Sequence, residues 1–281
     1  MTDPTVRAAS KTALGVAIMR AAHRWVDQEP WLLDDPVTEQ LLDPAQLPVM
    51  RAGADRFREP GVVGLRSHVL LRSRVAEDQL EAAVKRGVTR LVILGAGLDT
   101  FAWRQPPWAK QLEIFEVDHP ASQTDKQQRL ARAGLAAPPN LRWASIDFEH
   151  ESLADGLVRN GIDLATPIFV SMLGVAMYLT PDDVTRTLKA IGAYPAGTTL
   201  VMTYSAANDT VEGSASDLAQ RAAEMGEPWR SAYTIPDLDR ELAAAGFSQR
   251  WFPTIAELAT YFEGRTDLPA IRRMSMVVAT V

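Results

Sequence analysis

The run TRLVILGAGLDTFAWR, residues 89–104, decides how this chain is read. Residues 89–94 are short, rich in β-branched and aliphatic side chains, and almost wholly apolar. That predicts a strand covered on both faces, as in a parallel sheet. The strand runs straight into Gly95-Ala96-Gly97. Glycines here allow a tight turn and a close backbone approach to a ligand. A bare G-x-G is also an ordinary turn, so the next element matters. Residues 112–117 form a second apolar run, carrying Glu116 and followed by Asp118. Asp118 comes about 20 residues after the loop, where a carboxylate can accept from both hydroxyls of a ribose. Strand, glycine loop, second strand and terminal acid together make a nucleoside site.

The loop also says which nucleoside. A dinucleotide fingerprint wants a third glycine, and Thr100 stands in its place. That glycine serves close packing around a pyrophosphate at a helix N-terminus. Asp99 in the same loop would repel a pyrophosphate. No tyrosine has a lysine four residues on, so the short-chain dehydrogenase pair is missing. An acidic loop suits a cofactor with an amino-acid tail and a sulfonium charge, S-adenosylmethionine. Asp147 and Phe148 follow the third predicted strand. There a carboxylate can take an adenine amino group while an aromatic ring packs on the base; a helix N-cap before Ser152 is the plainer alternative.

Outward from the loop, apolar runs recur at 141–146, 168–172, 198–204, 247–252 and 274–281, giving seven strands with the first two. Helical patterns separate them at 122–133, 152–160, 181–193, 211–225, 236–245 and 255–262. Strands alternating with helices predict right-handed crossovers and a doubly wound, Rossmann-like parallel sheet in an α/β fold. No strand pattern precedes residue 88. Leu14, Ile18, Ala21 and Trp25 recur at helical spacing, Asp35-Pro36 starts a short second helix, and 69–86 form a third, closed by Gly87. The organisation expected is a helical N-terminal cap and lid, 1–87, and an α/β domain, 88–281, with a lid insertion at 205–235.

Composition narrows the function. The 281 residues contain no cysteine, which excludes disulfides, zinc-thiolate sites and thiol nucleophiles. A net charge of −6 without a basic run argues against nucleic acid as partner. No apolar stretch is long enough to span a membrane. The apolar run 12–19 is too short, and too poorly followed by a cleavage site, for a signal peptide, so a cytoplasmic protein is expected.

The ordered segments SKTALGVAIMRAAH (10–23), DDP (34–36), LRSRVAED (71–78), LVILGAGLDTFAWR (91–104), FEVDHP (115–120), IDFEHESL (146–153), FVSMLGVAMYLT (169–180) and YFEGRTD (261–267) carry a family likeness. The chain resembles the leucine carboxyl methyltransferase superfamily, and within it the bacterial tetracenomycin-type polyketide O-methyltransferases. The resemblance implies a seven-stranded S-adenosylmethionine-dependent methyltransferase with an added helical N-terminal region. It implies Arg72 on the methionine carboxylate, Gly95 and Gly97 in the cofactor loop, Asp118 on the ribose, and Asp147 and Phe148 around the adenine. A guanidinium fork does match a carboxylate bidentately. Lys11 is a second candidate for that carboxylate. One departure stands out. Protein-directed members carry a glutamate just before the glycine of the fourth-strand motif, and this chain has Leu173. The departure favours a small-molecule substrate over a protein tail.

Methyl transfer is an in-line displacement, so positioning supplies much of the rate. A carboxylate acceptor (pKa ~4) is ionised at neutral pH, whereas a phenol (pKa ~10) wants a base. The four histidines, His23, His68, His119 and His150, form no metal pair, and no metal is expected. No catalytic base is identifiable. Tyr178 and Tyr204 are weak catalytic candidates and plausible walls of the substrate site, since both follow strands where ligands bind. Arg20 and Arg24 on the cap are candidate clamps for a substrate carboxylate. Gln105-Pro-Pro-Trp108 imitates an N-methyltransferase motif but follows the wrong strand. The acidic run Asp147, Glu149, Glu151 reads as a helix start. Competing readings are an NAD(P)-dependent oxidoreductase and a non-catalytic cofactor-binding partner protein. Substrate identity and oligomeric state are not legible.

Overall fold

The computed structural model describes residues 10–147, 151–162, 164–207 and 215–281. Seven strands form one sheet: β1 (Arg90–Leu94), β2 (Glu113–Asp118), β3 (Leu141–Ser145), β4 (Phe169–Met172), β5 (Thr199–Thr203), β6 (Gln249–Trp251) and β7 (Met276–Thr280). Their order is β3-β2-β1-β4-β5-β7-β6. The helices are α1 (Lys11–Val26), α2 (Leu47–Ala52), α3 (Pro60–Lys85), α4 (Pro120–Arg132), α5 (Leu153–Arg159), α6 (Pro181–Gly192), α7 (Ala215–Glu224), α8 (Ile235–Ala244) and α9 (Ile255–Ala259).

Alternate residues of β1 face opposite layers, as strand geometry requires. Leu91 and Ile93 join a core with Leu70, Leu71, Val75 and Leu80 of α3. Val92 and Leu94 join a second core with Leu157 of α5, Val184 and Leu188 of α6, and Leu238 and Leu242 of α8. The all-apolar strand in the sequence is thus a strand sandwiched between two helical layers.

The expectation of an all-parallel sheet needs correction. β1 to β5 pair in parallel, but β7 runs antiparallel to both β5 and β6. The connection after β6 carries only a five-residue helix, α9, and the chain re-enters from the carboxyl edge of the sheet as a reversed strand.

The N-terminal helices differ in extent from the sequence reading. α3 has 26 residues and starts at Pro60, not near residue 69. Gly61 and Gly64 weaken the local helical signal, while tertiary contacts hold the first turns. Arg66 there is fully buried and pairs with Asp27 at 2.6 Å. The segment opened by Asp35-Pro36 is a single 3-10 turn, Thr38–Leu41, with Asp35 accepting from the amides of Val37 and Thr38. Side chains cap two of the helices: Ser10 accepts from the Ala13 amide ahead of α1, and Thr180 with Asp183 closes a capping box on α6. Among the described residues no helix is long and apolar enough to cross a membrane.

Candidate functional site

The glycine loop leaves the carboxyl end of β1 in the centre of the sheet, where the chain order changes direction. Gly95 has φ +63, and a Cβ there would lie 2.4 Å from Cγ2 of Val175 in the loop after β4. The missing side chain thus admits a neighbouring loop as well as a turn. Asp118, ending β2, accepts the Gly97 amide at 2.6 Å through Oδ2 and the His119 amide at 2.7 Å through Oδ1. One carboxylate fixes the loop shape and stands ready at its rim.

Asp99 accepts the Phe101 amide at 2.8 Å and lies 3.2 Å from Arg20. Burial alone would raise its pKa, but Arg20, then Arg104 and Lys126, hold it below the ordinary value. Asp35 behaves alike: burial opposes ionisation, and Arg20, Arg104, Thr38 and Thr100 overcome it, so its carboxyl stays strongly acidic. Arg104 in turn donates to Glu77 at 3.0 Å. These groups form one buried network between the cap and the loop.

That network corrects the reading of Arg20 as a substrate clamp. Its side chain is only 4% exposed, with Asp35 at 2.7 Å, Asp99 at 3.2 Å and the Thr100 hydroxyl at 3.1 Å. The guanidinium is committed to tying α1 to the glycine loop. Arg24 pairs with Asp34 and stacks on the Trp31 ring at 3.9 Å, partly exposed. Its partners are cap residues, so neither arginine stands free to clamp a substrate.

Arg72 differs from both. It is half-buried on α3 and makes no hydrogen bond or ion pair among the described residues. Its guanidinium lies against Gly174, whose φ is +74; a Cβ there would sit 2.9 Å from Nη1. Glycine is the residue that lets the fork reach this position. Burial, then Arg20, lower its pKa to about 10 while Tyr178 and Asp99 pull it up. Arg72 therefore remains a cation at neutral pH without a bonded anion.

The start of α1 closes the same edge. Ala13 lies beside Gly97, within 3.2 Å of where a Cβ would be. The Tyr178 hydroxyl donates to Thr12 at 3.3 Å. Glu227 accepts the Lys11 amide at 2.7 Å and the Ser10 hydroxyl at 3.0 Å, and also binds the Thr12 hydroxyl. The Lys11 side chain is exposed on the first turn of this helix. Asp147 follows β3 with an oxygen 3.7 Å from His119 Nε2. Phe148 lies outside the described residues. Tyr204 follows β5, its ring edge-on to Phe252 at 6.5 Å between centroids, and burial pushes its pKa up to about 12. It stays a neutral phenol. Leu173 packs on the α3 side and lines a cavity of about 30 Å³ with Ser73, Glu77, Asp99 and Ser171.

Some groups escaped the sequence reading. Glu116 is fully buried beneath the loop and pairs with Lys126, whose ammonium sits 5.1 Å from the Trp103 ring and 5.6 Å from that of Trp143. Burial pushes Glu116 up to about 7 against the pull of Lys126, with Asp99 and Asp118 adding to the rise. A buried lysine with two tryptophans was visible only as a helix charge 10 residues on. Glu227, His68 and Arg273 gave no signal either, being far apart in the chain. Among the described residues no cluster of three or more histidines and acids is arranged to hold a metal ion.

Comparison with known proteins adds a lineage to this geometry. A profile described as leucine carboxyl methyltransferase matches residues 13–192. A Bacillus subtilis protein carrying the name S-adenosyl-L-methionine-dependent methyltransferase YktD is 33% identical over 184 residues, covering 63% of this chain and 60% of that protein. A similarly named Saccharopolyspora erythraea protein is 29% identical over 256 residues, covering 89% and 87%. The chain thus spans about three fifths of the Bacillus relative and most of the Saccharopolyspora one. Two solved structures share the fold at low identity. One, from Thermobifida fusca, has TM-score 0.57 at 20% identity and covers 94% of this chain and 93% of its own. The other, a DUF574-family protein of Streptomyces avermitilis, has TM-score 0.56 at 16% identity, covering 93% and 96%. The chain belongs to the leucine carboxyl methyltransferase family of S-adenosylmethionine-dependent methyltransferases.

Proposed function

We propose that the protein transfers a methyl group from S-adenosylmethionine to an oxygen of a small molecule, a carboxylate in preference to a phenol, as a member of the tetracenomycin-type polyketide O-methyltransferase branch. The observation that carries this reading is Arg72: a half-buried cation, clear of any bonded acid, beside the glycine loop and the β4 turn. In this reading its fork takes the methionine carboxylate, with the Lys11 ammonium as a second contact. Asp118 keeps the loop amides in place and offers its remaining lone pairs to the ribose hydroxyls. Asp147 and Phe148 flank the adenine. When bound, S-adenosylmethionine supplies an electrophilic methyl group on a sulfonium.

The acceptor reading rests on the lack of a suited base among the described residues, outside which His150 lies. The His119 Nδ1 is spent accepting the Ala121 amide at 3.2 Å. Burial and two arginines depress the His68 pKa to about 3, so it is a feeble proton acceptor. Tyr204 stays neutral. An acceptor that arrives ionised needs only orientation and exclusion of water. Tyr178 and Tyr204 wall the acceptor site. The cap 1–87 and the insertion 205–235 close over it, a role supported by the grip of Glu227 on the start of α1. Leu173 gives an apolar floor suited to a ring more than to a peptide tail.

The test is a panel of aromatic acids and phenols with methyl-labelled cofactor. The expected product is a base-labile methyl ester. An alkali-stable methyl ether would reassign the acceptor, and transfer only to a leucine-terminated peptide would overturn the small-molecule reading.

A further inference from the structure

Helix α1 begins without the charge that a helix start favours. Its first turn carries no acidic residue, and Lys11 puts a cation at the positive end of the helix dipole. The missing acid arrives from the far side of the sequence. Glu227 accepts the Lys11 amide through Oε1 at 2.7 Å and the Ser10 hydroxyl through Oε2 at 3.0 Å, and also binds the Thr12 hydroxyl. One carboxylate thus meets three donors of a helix start 216 residues away in the chain.

Local structure aims that carboxylate. Helix α7 ends in a Schellman turn: the Gly226 amide donates to the Ala223 carbonyl at 2.9 Å and the Glu227 amide to the Ala222 carbonyl at 2.8 Å. Gly226 has φ +86, a conformation that glycine adopts without strain. Just beyond, the Arg230 amide donates to the Met177 carbonyl at 2.7 Å and the Ser231 hydroxyl to the Ala176 carbonyl at 2.8 Å. The strap 227–231 therefore holds the start of α1 at one end and the turn after β4 at the other. Both lie against the glycine loop, Ala13 beside Gly97 and Val175 beside Gly95. The Tyr178 hydroxyl, donating to Thr12 at 3.3 Å, closes the ring.

We infer that Glu227 is a clasp that governs cofactor exchange. Engaged, it holds the first turn of α1 over the glycine loop; released, it frees that turn, and S-adenosylmethionine enters or S-adenosylhomocysteine leaves. The inference rests on the cofactor site at the glycine loop and adds its gate. Glu227 is a positioning residue, acting through Lys11, Thr12 and Ala13. It is half-buried, so water can replace its partners when it lets go and the net cost of opening is modest. The Arg20–Asp35 pair beneath is sealed from solvent and stays in place. If only the open form exchanges cofactor, losing the clasp raises the open fraction and speeds binding and release together. Affinity then changes less than either rate.

The experiment follows S-adenosylhomocysteine association and dissociation in the whole protein, wild type against Glu227→Gln and Glu227→Asp. Stopped-flow tryptophan fluorescence is the first readout and rapid filtration with labelled ligand the second. Amide hydrogen exchange is measured on the same proteins. Glu227→Gln is expected to raise both rates fivefold or more and to move the dissociation constant less than threefold. Exchange protection should fall at the start of α1 and hold in the strands. Glu227→Asp keeps the charge on a shorter arm and should show the same changes to a smaller degree; it decides the matter if the glutamine variant does not fold. Unchanged rates overturn the clasp. So does a rise in dissociation alone, which would make Glu227 a prop of the bound state, and so does protection lost across the sheet, which would make it a general structural residue. A wild type that binds no S-adenosylhomocysteine would instead bring down the cofactor site, and the clasp with it.

Discussion

The two halves of the sheet's carboxyl edge are built on opposite principles. On the β1–β2 side the acids around the loop have assigned partners. Asp118 takes two backbone amides, Asp99 takes an amide and Arg20, and Asp35 takes Arg20 and two threonines. On the side of α3 and β4 the cation Arg72 lies against Gly174 with no bonded acid among the described residues. The contrast separates scaffold from recognition. A network of paired charges holds one shape whatever is bound, while uncompensated charge is held by the fold for a ligand that supplies the opposite sign.

The strongest way to break the paired half is to remove its centre. Arg20→Ala leaves the Asp35 carboxylate buried with its nearest cation, Arg104, 3.8 Å away. Breaking a buried pair costs about 3–5 kcal/mol. Denaturant unfolding should show a loss of that order, and a loss below about 1 kcal/mol would mean the network is ornamental. Asp118→Ala comes next. It removes a charged acceptor worth about 1.5–3 kcal/mol, so S-adenosylhomocysteine should bind roughly 10- to 100-fold more weakly. Unchanged affinity would remove Asp118 from the cofactor site.

Glu116 sharpens the comparison through pH. Its folded pKa is raised to about 7, so the folded state holds a proton there that the unfolded chain gives up near pH 4–5. The stabilisation is complete below the unfolded pKa and is lost as pH rises through about 7. Glu116→Gln should flatten the fall in stability between pH 5 and 8, measured by urea midpoints; an unaltered slope would contradict the assignment. The smallest effect belongs to Arg24→Ala, an exposed pair with Asp34. Exposed pairs are worth under about 1 kcal/mol, and both unfolding and cofactor affinity should scarcely move.

The same contrast explains what the sequence disclosed. The strands, the glycine loop and Asp118 were legible because short-range rules write them: two-sided burial makes an apolar run, and a tight turn needs Gly95. The direction of β7 was not, since the five-residue α9 reads as the same helical pattern as a crossover. Arg20 looked like a clamp because an arginine on an amphipathic helix carries no label for its partner; only the fold brings Asp35 and Asp99 to it. Arg72 stood out through its R-S-R setting, but Gly174, which its fork lies against, stands far along the chain and meets it only through tertiary structure.

The central claim is that Arg72 is an unpaired fork kept for the cofactor's carboxylate. It is tested most directly by calorimetric titration of S-adenosylhomocysteine and methylthioadenosine into wild type and Arg72→Lys. Methylthioadenosine shares the nucleoside and lacks the carboxylate. Lysine keeps the charge and loses the bidentate geometry. The account predicts a loss of tenfold or more for S-adenosylhomocysteine in the variant, with methylthioadenosine unchanged; equal losses for both ligands, or none for either, would contradict it.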